Sequence, residues 1–219
     1  MKRIMSVSNA TVERLPLYYR CLDNLLSIEN EDVISSKELG RRLGIQPTQV
    51  RKDLSYYGDF GRRGVGYDIR VLKKKIGEIL GVNKMWPAVL IGAGNLGRAI
   101  VNYKGAREMG LNIVAVFDSD LNKIGNSIGL ITVQSMKNLE EFMEREQIEV
   151  GIVAAPASVA QDITDKLVDL GIHGIWNFAP ARLNVPEGVV LRNEELSIGI
   201  GSLIYHMTWQ KEELNTSVK

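Results

Sequence analysis

Gly92-Ala93-Gly94-Asn95-Leu96-Gly97 constrains this chain more than any other stretch. It follows an apolar run, Ala88-Val89-Leu90-Ile91, and opens a helical pattern over Leu96–Met109. Strand, glycine turn and helix in that order assign each glycine a task. Gly92 permits the tight turn, Gly94 lets the backbone approach a pyrophosphate, and Gly97 lets the helix pack close to the strand. The helix N-terminus then presents unpaired N–H groups and a positive dipole end to phosphates. With Ala93, Asn95 and Leu96, these glycines are the expected phosphate cradle. A second apolar strand, Ile113–Phe117, ends in Asp118, 21 positions after Gly97. That spacing suits an acid that binds adenosine ribose hydroxyls. Asp118 is followed by Ser119 and Asp120, and the first base is Lys123. Two carboxylates repel a 2′-phosphate, so NADH or NAD+ is expected rather than the phosphorylated cofactor.

Apolar strands alternate with amphipathic helices throughout the second part of the chain. The expected strands are Ala88–Ile91, Ile113–Phe117, Leu130–Thr132, Val150–Ala154, Gly174–Asn177 and Val189–Arg192. Between them lie helices Leu96–Met109, Met136–Glu146 and Ala157–Leu170. This alternation predicts an α/β fold with a Rossmann-type parallel sheet and right-handed crossovers. Before Gly81-Val82-Asn83-Lys84-Met85-Trp86-Pro87 the patterns are mostly helical. Three segments are therefore expected: 1–84, 85–200, and a C-terminal helix and tail, 201–219.

Of the 219 residues, 45% are hydrophobic and 24% charged, an ordinary globular mix. No apolar run reaches the roughly 18 residues of a membrane span. The basic start, Met1-Lys2-Arg3, has no apolar stretch after it, and Cys21 has no partner for a disulfide. A cytoplasmic protein without a membrane partner is expected. Cys21 falls in a helical pattern and reads as a small core residue. The net charge of +1 hides an asymmetry. Residues 1–85 hold 16 basic and 10 acidic side chains, and within 41–75 the balance is 10 to 3. A basic first part ahead of an acidic second part points to a polyanion meeting only the first.

The N-terminal patterns say which polyanion. Residues 12–27 carry Leu15, Tyr18, Tyr19, Leu22, Leu25 and Leu26 on one helical face. Ser35 and Glu38 have capping-box spacing, and a short helix runs from there to Leu43. Gly44 ends it, Ile45-Gln46 turn, and Pro47 opens the next helix. There Val50, Leu54 and Tyr57 face inward, leaving Thr48, Gln49, Arg51, Lys52, Ser55 and Tyr56 outward or flanking. This is a helix-turn-helix arrangement, with Gln49 suited to adenine, Arg51 or Lys52 to guanine or phosphate, and Thr48 to phosphate. Which of them meets bases depends on the docking angle. Gly58–Tyr67 follows, with four glycines and Arg62-Arg63 at the tip. It reads as a β-hairpin wing whose arginines favour a narrow minor groove.

Gln49-Val50-Arg51-Lys52-Asp53-Leu54-Ser55-Tyr56-Tyr57-Gly58, Arg63-Gly64-Val65-Gly66-Tyr67, the Rossmann turn and Asn177-Phe178-Ala179-Pro180 together resemble the Rex family of redox-sensing transcriptional repressors. The resemblance covers about residues 10–211. It implies a homodimer with a winged-helix DNA-binding domain, a Rossmann NAD(H)-binding domain and an exchanged C-terminal helix. Such a dimer binds double-stranded operator DNA at an inverted repeat and leaves it when NADH binds. The resemblance also implies roles for Tyr103 in ligand-dependent rearrangement, for Arg20 at an interdomain contact, and for Phe178, Ala155 and Pro156 around the dinucleotide. An Asp usual before the last helix is replaced here by Glu195, which keeps the charge and adds a methylene. The segment Ser202–Glu213, apolar at Leu203, Ile204, Met207 and Trp209, must bury its face somewhere. In the family it inserts between the domains of the partner subunit.

An NAD-dependent oxidoreductase is the rival reading. It needs an acid/base beside the nicotinamide. The two histidines, His173 in a helix–strand turn and His206 in the tail helix, sit in no catalytic constellation. A protein-interaction module using NAD structurally leaves the basic N-terminal part without a purpose.

Overall fold

The computed structural model describes residues 7–62 and 64–216, so Arg63 lies outside the described residues. The chain divides into two compact units between Lys84 and Met85.

In the first unit, α1 (Asn9–Asn24) starts behind Ser8, whose hydroxyl accepts from the Thr11 N–H. Apolar spacing alone misses this start, because the cap is polar. The helix widens into one π-helical turn, Leu25–Glu29, closed by left-handed Asn30. Strand β1 (Val33–Ile34) leads into α2 (Ser36–Leu43) and α3 (Pro47–Ser55). Ser35 accepts from the Glu38 N–H at 3.0 Å. The Glu38 carboxylate does not reach back to complete the capping box, because Arg41 and Arg42 take it. Strands β2 (Gly61–Arg62) and β3 (Gly66–Asp68) form the hairpin, and α4 (Ile69–Leu80) closes the unit. The small antiparallel sheet has the order β1-β3-β2. Leu15, Tyr18, Leu22 and Leu25 of the first helical segment pack with Leu39, Val50, Leu54, Ile69, Leu72 and Ile76 into one core. A helix-turn-helix backed by a hairpin is the winged-helix architecture. Cys21 packs at the edge of this core, and burial pushes its thiol pKa up.

The second unit begins with β4 (Trp86–Ile91), α5 (Asn95–Val101), α6 (Lys104–Glu108) and β5 (Leu111–Asp118). Strands β6 (Ser127–Ile128) and β7 (Ile131–Ser135) precede α7 (Leu139–Arg145) and β8 (Val150–Val153). Then come α8 (Ala157–Asp169), β9 (Gly174–Asn177), β10 (Val190–Asn193) and α9 (Leu196–Thr216). The sheet order is β10-β9-β8-β4-β5-β7-β6, parallel except at β6–β7. Leaving out β6, this is the doubly wound dinucleotide-fold order, read from its far edge. Because alternate side chains leave opposite faces, Val89 and Ile91 join one core layer and Ala88 and Leu90 the other.

Two elements depart from the periodic pattern. The helix expected over Leu96–Met109 breaks at Asn102. The Asn102 side-chain amide donates to the Arg98 carbonyl at 2.9 Å, and Tyr103 turns extended. A side chain that competes for backbone groups ends helices in this way. The last helix begins at Leu196, six residues before Ser202. The large apolar residues Ile198, Ile200, Leu203, Ile204, Tyr205, Met207 and Trp209 along it are all at least half exposed. No helix among the described residues is long and apolar enough to cross a membrane.

Candidate functional site

A cleft of about 450 Å³ opens at the carboxyl ends of β4, β5 and β8. The strand order reverses between β4 and β8, and crevices at such switch points are where open α/β sheets bind ligands. One wall is the glycine turn, Gly92, Gly94, Asn95 and Leu96; the other is Ala154, Ala155 and Pro156, with Phe178 and Pro180 beyond. Gly92 sits at φ 109°, and a Cβ there would lie 2.4 Å from the Ala154 carbonyl oxygen. A Cβ on Gly97 would meet the Gly92 carbonyl oxygen at 1.9 Å. A Cβ on Gly94 would meet nothing within 4 Å, because that position faces the open cleft. Gly97 thus closes the turn on itself, Gly92 lets it approach the backbone at Ala154, and Gly94 leaves its backbone open toward the cleft.

Ala93 lies behind the turn, almost fully buried. Its N–H donates to Asp118 Oδ2 at 2.8 Å, and the Asp120 N–H donates to Oδ1 at 2.8 Å. Lys123, in the loop after β5, donates to Asp118 Oδ2 at 3.1 Å and lies 3.7 Å from Asp120 Oδ2. Burial alone would raise the Asp118 pKa, but the two N–H donors and the Lys123 ammonium outweigh it and hold it below the usual range. Asp118 therefore locks the glycine turn as well as facing the cleft. Sequence spacing finds the acid and names Lys123 as the first base after it, but not that the turn Asp120–Lys123 returns this base to both carboxylates. Met136, Val159 and Ile163 are further lining residues that only the fold brings in.

Tyr103 does not line this cleft. Past the helix break its ring lies over Gly105, 53% exposed. Phe178 does line it, and its ring packs on Trp176 at 4.6 Å between centroids. The turn holding Phe178 is pinned by buried Asn177. Its Oδ1 accepts from the Ala179 N–H, and its Nδ2 donates to the Ala181 carbonyl and to Asn193 Oδ1. Glu195 stands exposed at the start of α9, accepting from the Ser197 hydroxyl at 3.1 Å. Arg20 is exposed on α1.

On the first unit, Thr48, Arg51, Lys52, Ser55 and Tyr56 are exposed on α3 or at its end, and Arg62 is exposed on the hairpin. Arg51 and Ser55 share a groove with the hairpin residues Gly61, Arg62, Gly64 and Val65. Arg51 donates to the Ser36 hydroxyl at 2.9 Å, and Ser55 donates back to the Lys52 carbonyl. Gln49 departs from the outward reading. It is half-buried, and its amide donates to Asp53 Oδ1 at 2.7 Å. A buried carboxylate one turn along the same helix takes that donor.

Asp53 carries the densest polar contacts among the described residues of this unit, and no apolar period or capping pattern marks it. Its side chain is fully buried. Oδ1 also accepts from Arg14 Nη2 at 2.7 Å and the Thr11 hydroxyl at 3.1 Å, while Oδ2 accepts from Arg14 Nε at 2.6 Å and the Tyr18 hydroxyl at 2.7 Å. Burial pushes the Asp53 pKa up, but the donors from Arg14, Tyr18, Gln49 and Thr11 prevail and lower it. Burial and the bond to Asp53 push the Tyr18 hydroxyl the other way, upward. The cluster ties α3 to α1.

A winged helix with an exposed, cationic face, joined to a dinucleotide-type fold, defines a class: two-domain regulators that couple nucleic-acid binding to a nucleotide. Comparison with known proteins narrows this. A family model described as "Putative DNA-binding protein N-terminus" matches residues 6–55, and one described as a CoA binding domain matches 83–181. The redox-sensing transcriptional repressor Rex of Thermosipho africanus is 44% identical over 182 residues, covering 82% of this chain and 87% of its own. The Clostridium botulinum protein of the same name is 42% identical over 211 residues, 96% of this chain and all of its own. The crystal structure of RSP in complex with NAD+ and operator DNA matches with a TM-score of 0.86 at 38% identity, over 98% of both chains. RSP in complex with NADH matches with the same TM-score at 37% identity, over the whole of both chains. The chain belongs to the Rex family of redox-sensing transcriptional repressors.

Proposed function

We propose that this chain binds operator DNA as a homodimer through its two winged helices, and that NADH in the cleft at Gly92–Gly97 releases it. The observation that carries this reading is the match, over nearly the full length of both chains, to one repressor seen with NAD+ on operator DNA and also with NADH. The cleft supports it: the backbone at Gly94 is open, and Asp118 is ionised at the ribose end. A cofactor bound there would lay its pyrophosphate along Gly92, Ala93, Gly94, Asn95, Leu96 and Gly97, its adenosine ribose on Asp118, and its second half along Ala155, Pro156 and Phe178. NADH releases the protein only if it binds the DNA-free arrangement more tightly than the DNA-bound one, and by a larger factor than NAD+ does, since only differential affinity for two conformations shifts an equilibrium. Arg20, Tyr103 and Glu195 are the proposed switch residues. Thr48, Gln49, Arg51, Lys52, Ser55, Tyr56, Arg62 and Arg63 form the proposed DNA surface, with Gln49 oriented from behind by Asp53. The cytoplasm, where the NADH/NAD+ balance is set, is the compartment this function requires.

The test is binding to promoter DNA by fluorescence anisotropy at fixed salt, with NADH, NAD+ or neither. Release by NADH and not by equal NAD+ is expected; DNA binding indifferent to both nucleotides would refute the coupling. Lys52→Ala should lower the slope of log affinity against log salt by about 1 and leave NADH binding unchanged. An unaltered slope would remove Lys52 from the phosphate contacts.

The apolar side chains along α9 support exchange of this helix with a second copy. A row of exposed Ile, Leu, Tyr, Met and Trp costs solubility unless covered. Leu203→Asp with Ile204→Asp is expected to shift the sedimenting species from dimer to monomer. An unchanged dimer would place the interface elsewhere.

A further inference from the structure

We propose that Lys123 is a dormant 2′-phosphate-binding cation, and that Asp118 and Asp120 exclude a phosphorylated ribose by holding it. The proposal rests on reading the cleft as an NAD(H) site. Repulsion by two carboxylates is an incomplete account of cofactor choice here, because the nearest base folds back onto both of them. Lys123 Nζ is 3.1 Å from Asp118 Oδ2 and 3.7 Å from Asp120 Oδ2, and all three residues line the cleft beside Ser119. The backbone places the base: the Lys123 N–H donates to the Asp120 carbonyl at 3.0 Å, so the turn carries the side chain back over the strand end. Asp118 is fixed by the Ala93 and Asp120 N–H groups and is nearly buried, whereas Lys123 is about one-third exposed. The cation is thus stationed beside the acid expected to bind the ribose hydroxyls, with its charge already matched. A lysine ammonium binds phosphate as a point charge and needs no forked geometry. Removing the carboxylate charges would free it for a 2′-phosphate.

The experiment compares NADH and NADPH binding, by nucleotide fluorescence, to the full-length protein and its variants. Wild type should prefer NADH. Asp118→Asn with Asp120→Asn should raise the NADPH:NADH affinity ratio by about tenfold or more, the scale of one charge-assisted hydrogen bond. Adding Lys123→Ala should remove that gain. A gain that persists without Lys123, or no gain in the folded double variant, overturns the proposal. Asp120→Asn alone, at a half-exposed position, should move the ratio the same way by less and again only with Lys123 present. It decides the matter if the Asp118 change unfolds the unit. Failure of wild type to bind either nucleotide would sink the dinucleotide reading itself. Wild-type NADH binding with an unmoved ratio would sink only the role of Lys123.

Discussion

Asp53→Asn is expected to destabilise the winged-helix unit by about 3–5 kcal/mol, the usual result of removing one charge from a buried pair. The side chain is completely buried and accepts from Arg14, Tyr18, Thr11 and Gln49. Asparagine keeps the volume but presents an NH2 group where two of these donors already point, and it leaves the Arg14 guanidinium without its counter-charge. Calorimetry should show the transition of this unit moving down while that of the nucleotide-binding unit stays in place. DNA binding should fall with it, and NADH binding should survive. The pH dependence has a definite sign. The folded Asp53 pKa lies below its unfolded value, so its contribution is complete above about pH 3.9 and is lost as pH falls through the folded value. The variant should lack that part of the acid sensitivity. Equal stability of variant and wild type would show the cluster to be dispensable.

Gly97→Ala is expected to abolish useful nucleotide binding. A Cβ at this position would stand 1.9 Å from the Gly92 carbonyl oxygen, and it would also crowd Leu90 at 3.1 Å. The oxygen is backbone, so relief requires the turn to open. Overpacking of this kind costs about 1–3 kcal/mol, and a loss of about 100-fold in NADH affinity corresponds to the upper end. Titration of NADH into the variant measures it directly, with DNA binding as the control for an intact first unit. Gly94→Ala is the useful contrast, because its Cβ points into open space. It should leave stability unchanged and weaken binding only through contact with the ligand. If Gly97→Ala bound NADH as wild type does, the tight turn would not be what shapes the cleft.

The periodic and punctuated parts of this chain were legible before any coordinates. Alternating apolar runs and helical faces place most strands of the parallel sheet, since burial on both faces demands continuous Val, Ile and Leu. Ser35, Gly44 and Pro47 mark the helix-turn-helix by local chemistry alone, and the structure places each at the helix end it serves. Sequence reading stumbled where a polar side chain overrode periodicity. Ser8 starts α1 early, and Asn102 breaks the helix that carries Tyr103.

What the sequence by itself determined is the pair of folds and the glycine turn between β4 and α5, because glycine spacing, caps and apolar period are local properties. Tertiary structure alone decided the partners of the charges. Asp53 meets Arg14 across 39 positions, and Asp118 both locks the glycine turn 25 positions away and holds Lys123. Ionic partners have no period. They are selected by which low-dielectric pockets the packed elements leave, and by the rule that a charge taken out of water must find its counter-charge there.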